Sequence, residues 1–243
     1  MISMASAKTK DGADKRTKTG IGGLDKLLDG GIPHSNLVLL SGSCGTGKST
    51  LGMQFIYQGA VKYNEPGIYL TFEEQPEKII REMANFGWDI EAQVRKKKIS
   101  FIAPEIYKFE ELRREISDEI DRIGAKRLVI DSFTLLSSYL KSDYEARRAL
   151  TQLDREIKKF ECTTLAISDI KEGSETFSMT GYEEFIVDGV IALRLTSNVP
   201  EGIGAYTRSL FIRKMRGTHH SLESVPMEFN QSGIEVYPSA KVF

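Results

Sequence analysis

The residues from Gly42 to Ser49, Gly-Ser-Cys-Gly-Thr-Gly-Lys-Ser, constrain this chain more than any others. They carry the spacing Gly-x4-Gly-Lys-Ser/Thr of a phosphate-binding P-loop, which needs a strand before it and a helix after it. Both are legible: Asn36 to Ser41 is an apolar run of strand length, and Thr50 to Tyr57 reads as a buried helix. Glycines at 42, 45 and 47 let the backbone approach an anion closely, so that successive N–H groups converge on it. Ser43, Cys44 and Thr46 complete the loop, and Thr50 follows it. Lys48 is expected to reach the β- and γ-phosphates of a nucleotide, and the Ser49 hydroxyl to ligate Mg²⁺. The helix that begins near Lys48 adds the positive end of its dipole.

The remainder of the chain reads as a setting for that loop. Strands are expected at Ile68–Phe72, Ile99–Ile102, Arg127–Asp131 and Thr163–Ser168. They alternate with helices from Pro76 to Gly87, from Phe109 to Ile123 and from Ala146 to Phe160. In each helix apolar residues recur three or four apart. Such alternation predicts an α/β fold with a mostly parallel central sheet flanked by helices. Leu24, Leu27 and Leu28 fit one short helical face, stopped by Gly30 and Gly31. After Ser168 the alternation stops, 171 to 181 reads as a mobile loop, and strands follow at 187–195, 208–213, 225–229 and 233–237. These predict a C-terminal antiparallel extension of the sheet. At 243 residues one enlarged domain over 19–243 is expected, preceded by a disordered basic tail over 1–18 that carries Lys8, Lys10, Lys15, Arg16 and Lys18.

Composition excludes several classes. No stretch approaches the length of a membrane span, the N-terminus lacks the apolar core of a secretory signal, and two cysteines make neither a disulfide framework nor a metal site. The cytoplasm is the expected compartment. A net charge of −1 leaves DNA binding to local patches: the basic tail, Arg95 to Lys98, Arg147–Arg148 and the 171–181 loop. That loop offers one aromatic, Phe177, and one lysine against Glu172 and Glu175, which is poor material for stacking bases.

Further residues have types and places suited to phosphoryl chemistry. Asp131 ends an apolar strand, where an acid can hold Mg²⁺. Glu73 and Glu74 end another; a carboxylate there can orient an attacking water, or it can cap the next helix or face solvent. Lys214 and Arg216 lie two apart on a strand and so on one side of it, suited to a γ-phosphate or simply to a charged sheet edge. His219 and His220 follow them in a turn.

Taken together, these segments resemble the RecA-superfamily ATPases of the KaiC-like type. The resemblance rests on Thr19–Asp25 with Gly30–Pro33, the P-loop, Phe72–Glu74, Asn85–Asp89, Leu128–Ser132, Glu183–Glu184 with Asp188–Val190, and Lys214–His220, in that order. It covers about 18 to 238 and is nearest the single-domain archaeal members, described as paralogues of the recombinase RadA. It implies an ATP- and Mg²⁺-dependent ATPase that forms a homo-oligomeric ring or filament and modulates homologous recombination or DNA repair. Single-stranded DNA and a RadA-type recombinase are the implied partners. It implies Glu73 and Glu74 as the catalytic carboxylates and Asp131 as the metal-holding acid. By the same carry-over, Lys214, Arg216 and His220 act on the nucleotide of the adjacent subunit. Where the family often carries Gln or Asn as a γ-phosphate sensor, this chain has Ser168–Asp169. A regulatory module that uses ATP only to assemble and present a surface stays open as the alternative.

Overall fold

The computed structural model describes residues 15–104, 108–138, 142–197 and 206–240. In chain order the elements are β1 (Arg16–Thr17), α1 (Leu24–Leu27), β2 (Ile32–Pro33), β3 (Leu37–Gly42), α2 (Lys48–Lys62), β4 (Gly67–Thr71), α3 (Pro76–Met83), α4 (Ile90–Arg95) and β5 (Ile99–Ile102). There follow α5 (Phe109–Ile123), β6 (Arg127–Asp131), α6 (Phe133–Ser138), α7 (Asp143–Lys159), β7 (Thr163–Asp169), α8 (Glu183–Ile186), β8 (Gly189–Ser197), β9 (Tyr206–Met215), β10 (Val225–Asn230) and β11 (Gly233–Val236).

Nine strands form one sheet in the order β11-β10-β9-β8-β3-β7-β6-β4-β5. From β8 to β5 neighbouring strands run parallel, and β9, β10 and β11 add to the β8 edge in antiparallel fashion. The expected α/β architecture with its antiparallel extension is therefore the observed one. β3 lies between β7 and β8 and is buried along its whole length. Its side chains alternate between two apolar layers, as the pleat requires. Val38 and Leu40 join the layer holding Leu51 and Phe55 of α2, while Leu37 and Leu39 join the layer holding Ile116 of α5 and Leu150 of α7.

Local chemistry explains where helices start and stop. α3 begins on Pro76, whose missing N–H costs nothing in a first turn. Asp89 caps α4 by accepting from the Ala92 N–H at 2.9 Å, and Ser142 caps α7 by accepting from Glu145 at 3.3 Å. Gly124, at φ 64°, closes α5. The buried Leu112, Ile116 and Ile120 on one face of α5 are each worth about 2 kcal/mol of burial.

The basic tail expected over 1–18 ends earlier than its composition implies. Arg16 and Thr17 pair with Ile32 and Pro33, and buried Thr17 shares a 2.7 Å hydrogen bond with Thr163. Residues 1–14 lie outside the described part. Three short helices, α4, α6 and α8, were not expected, since none is long enough to display a period.

Candidate functional site

β3 ends at Gly42 and α2 begins at Lys48, so Ser43 to Gly47 form the intervening loop at the carboxyl edge of the parallel strands. Gly45 and Gly47 have φ of 77° and 101°, the left-handed region that favours glycine. A Cβ on Gly47 would stand 2.7 Å from the Phe229 ring, and one on Gly42 would stand 2.6 Å from the Thr46 hydroxyl. No side chain caps the first turn of α2, which leaves its N–H groups free to face an anion.

A cavity of about 310 Å³ opens over the loop. Cys44, Gly45, Gly47, Lys48, Ser49, Thr50, Glu73, Asp131 and Asp169 line it. The structure thus brings Lys48, Ser49, Glu73 and Asp131 to one place from α2, the end of β4 and β6. The ammonium of Lys48 donates to the Ser43 carbonyl at 2.9 Å and lies 3.0 Å from Asp169. Asp131 accepts from the Tyr69 hydroxyl at 2.5 Å and from Ser49. Burial raises the Asp131 pKa, and the hydrogen bonds from Tyr69 and Ser49 oppose that rise. A serine hydroxyl beside a carboxylate is a set of hard oxygen donors of the kind that suits Mg²⁺.

The two glutamates diverge. Glu73 lines the cavity, and its carboxylate accepts from the Ser132 hydroxyl at 3.4 Å. Burial first, and then the charges of Asp169 and Asp131, raise its pKa. Glu74 instead turns outward to pair with Lys78 of α3, while its backbone is tied to the Thr71 hydroxyl.

Lys214, Arg216 and His220 are not brought to this cavity. β9 runs antiparallel to β8, and Met215 pairs with Gly189, itself level with Val38 near the start of β3. The P-loop opens beyond Gly42, about 13 Å further along at a rise of ~3.3 Å per residue. The cations therefore sit at the opposite edge of the sheet from their own P-loop. Lys214 donates to the carbonyls of Glu184 and Val187 at 2.9 and 2.6 Å, and Arg216 to Asp188 at 3.2 Å. Burial, then the neighbouring charge of Arg216, lowers the Lys214 pKa. The His220 ring lies 3.3 Å from the Ser221 carbonyl.

Sequence reasoning missed residues that border the site. A tyrosine in an apolar strand was a signal, because a buried phenol needs a partner; Tyr69 is fully buried and finds Asp131. Phe229 and Arg208 gave no signal, since only the register of β9 and β10 places them by the P-loop. Arg208 donates to the Gly45 carbonyl at 3.2 Å and stacks on Phe229 at 4.9 Å.

A family model described as KaiC, an ATPase, matches residues 17–241. The chain belongs to the KaiC ATPase family. A UPF0273 protein of Methanocaldococcus jannaschii is 43% identical over 92% of this chain and 97% of its own length. The circadian clock oscillator protein KaiC of Parathermosynechococcus lividus is 35% identical over 92% of this chain and 42% of its own. A crystal structure of a KaiC-like protein from Pyrococcus horikoshii superposes with a TM-score of 0.83 at 39% identity, covering 92% of this chain and 99% of that one. A KaiC-type ATPase domain is a nucleotide-binding domain. Among the described residues no helix is long and apolar enough to cross a membrane.

Proposed function

We propose that this chain hydrolyses ATP in a Mg²⁺-dependent reaction, at sites that two neighbouring copies complete together. The observation that carries the reading is the convergence of Lys48, Ser49, Glu73 and Asp131 on one cavity above the P-loop. Loop N–H groups and Lys48 hold the phosphates, while Ser49 and Asp131 hold the metal. Bound Mg²⁺ supplies charge neutralisation at the β- and γ-phosphates. Glu73 orients a water by accepting a hydrogen bond from it and takes its proton as the water oxygen bonds to the γ-phosphorus; the bond to the ADP oxygen breaks, and its electron pair leaves on ADP. Glu74, turned to Lys78, supports the turn that carries Glu73.

Lys214 and Arg216 have no γ-phosphate within reach on their own chain. In the proposed assembly, a ring or filament, they and His220 serve the site of the next copy, where a cation supplied in trans can accelerate the reaction by orders of magnitude. Lys48→Ala should abolish tight ATP binding, and hydrolysis unchanged in that variant overturns the assignment. Sizing the protein with and without ATP tests the assembly.

The biological role we propose is modulation of recombination or DNA repair, with single-stranded DNA and a RadA-type recombinase as partners. The resemblance drawn from the sequence motifs and exposed cations such as Arg147 and Arg148 support it. Filter binding of a single-stranded oligonucleotide across a salt series tests it, since electrostatic binding weakens linearly in log–log terms. Absence of binding at low salt overturns it. A second reading, in which ATP mainly controls assembly and a signalling surface, draws support from Asp169, whose carboxylate pairs with the P-loop lysine Lys48. Slow turnover together with nucleotide-dependent size favours that reading.

A further inference from the structure

The cations that face away from their own P-loop are held by one short segment, from Glu184 in α8 to Asp188 before β8. Carbonyls of Glu184 and Val187 take Lys214, and the carbonyl of Phe185 takes Arg216 at 3.3 Å. Asp188 makes the charged contacts. Its side chain is only 9% exposed, yet it meets two cations: Arg216 at 3.2 Å through Oδ1 and Lys158 of α7 at 2.8 Å through Oδ2. Oδ2 also accepts from the Leu37 N–H at 3.2 Å. The backbones repeat the link, with the Asp188 N–H on the Leu37 carbonyl at 2.8 Å and the Arg216 N–H on the Asp188 carbonyl at 2.9 Å.

Leu37 is the first residue of β3, and β3 ends in the P-loop. We infer that Asp188 is the positioning residue for the cation pair: it fixes Arg216, and with it Lys214, in register with the strand that carries the same chain's P-loop. A buried carboxylate between two cations gives Arg216 a defined direction that an exposed guanidinium lacks. Each copy would then present its cations at a fixed offset from its own nucleotide, which is what an assembly of shared sites needs. The inference rests on the shared-site reading above.

Asp188→Asn tests it with the full-length protein. The amide can still accept from Leu37 but no longer carries the charge that orients Arg216. Nucleotide affinity is expected to stay within about twofold of the parent and kcat to fall about tenfold with little change in KM. The double variant Asp188→Asn/Lys158→Met, which also removes the second cation beside position 188, a lysine that pairs with Asp154 as well at 2.9 Å, should behave alike, whereas Lys158→Met alone should keep the parental rate. Mixing supplies the decisive arm. A Glu73→Gln chain has a disabled site but intact cations, and an Asp188→Asn chain the reverse, so mixed assemblies should hydrolyse ATP faster than the sum of the two chains assayed separately.

An Arg216→Ala chain mixed with Glu73→Gln separates the two ideas. No recovery there overturns the shared-site reading itself. Recovery there, but none with Asp188→Asn, overturns the role of Asp188 alone. A parental kcat in Asp188→Asn or in the double variant overturns it as well, as does a loss of nucleotide affinity that matches the loss of rate.

Discussion

The Lys48 ammonium lies 3.0 Å from the carboxylate of Asp169, so the P-loop lysine is paired with an anion at the end of β7. Incoming phosphates must draw Lys48 away from that partner. Asp169→Asn removes the competitor, and because the Asp169 side chain is 45% exposed the pair is worth no more than about 1 kcal/mol. ATP should bind up to about fivefold more tightly in a titration with a fluorescent analogue. Weaker binding would mean that Asp169 assists the nucleotide.

The Glu73 pKa stands above its ordinary 4.5, through burial and then the charge of Asp169. A carboxylate that orients water must be ionised, so kcat/KM should rise with pH through that elevated value. Asp169→Asn should move this acid limb to lower pH, since it removes a charge that opposes ionisation. A pH–rate profile of both proteins decides the point, and an unmoved limb would assign it to another group.

Arg127 begins β6 with no exposed surface. It donates to Glu65, to the Phe55 carbonyl at 2.8 Å and to the Lys18 carbonyl at 2.7 Å, and it stacks on Phe55 and Tyr63. Arg127→Ala leaves those acceptors unpaired around a cavity and should destabilise the fold by about 3 to 5 kcal/mol. Urea unfolding followed by fluorescence of Trp88, the chain's single tryptophan, measures it. A change under 1 kcal/mol would contradict this account.

The two thiols should differ in reactivity. Cys44 is exposed in the P-loop, whereas Cys162 is buried and its pKa is pushed up to about 12 by that burial. A disulfide reagent should titrate one thiol in the native protein and two in urea, and ATP should slow the native reaction. Two rapid native equivalents would show the burial to be wrong.

The long helices and parallel strands were legible because Ile116 and Ile120, or Leu128 and Ile130, repeat at the spacing their elements impose. The P-loop, Glu73 and Asp131 were legible because strand ends at one edge of a parallel sheet meet by topology. α8 was not: four residues carry no period. The contrast between Glu73 and Glu74 was hidden too, since adjacent glutamates read alike until Thr71 ties the turn and Lys78 draws the second outward. Arg127 looked like an ordinary strand residue, because its partners Lys18, Phe55 and Glu65 are gathered from distant parts of the chain.

β3 stands between β7 and β8, yet it leaves the ribosome well before either. Until Thr163 and everything up to Ser197 have been synthesised, an apolar strand with both edges unpaired waits beside an unfinished P-loop. Phe229, which closes against Gly47, arrives later still. Nucleotide capture during synthesis is thus deferred until β8 and Phe229 have been made, and a nascent chain stalled before that point is the form most exposed to strand-edge aggregation.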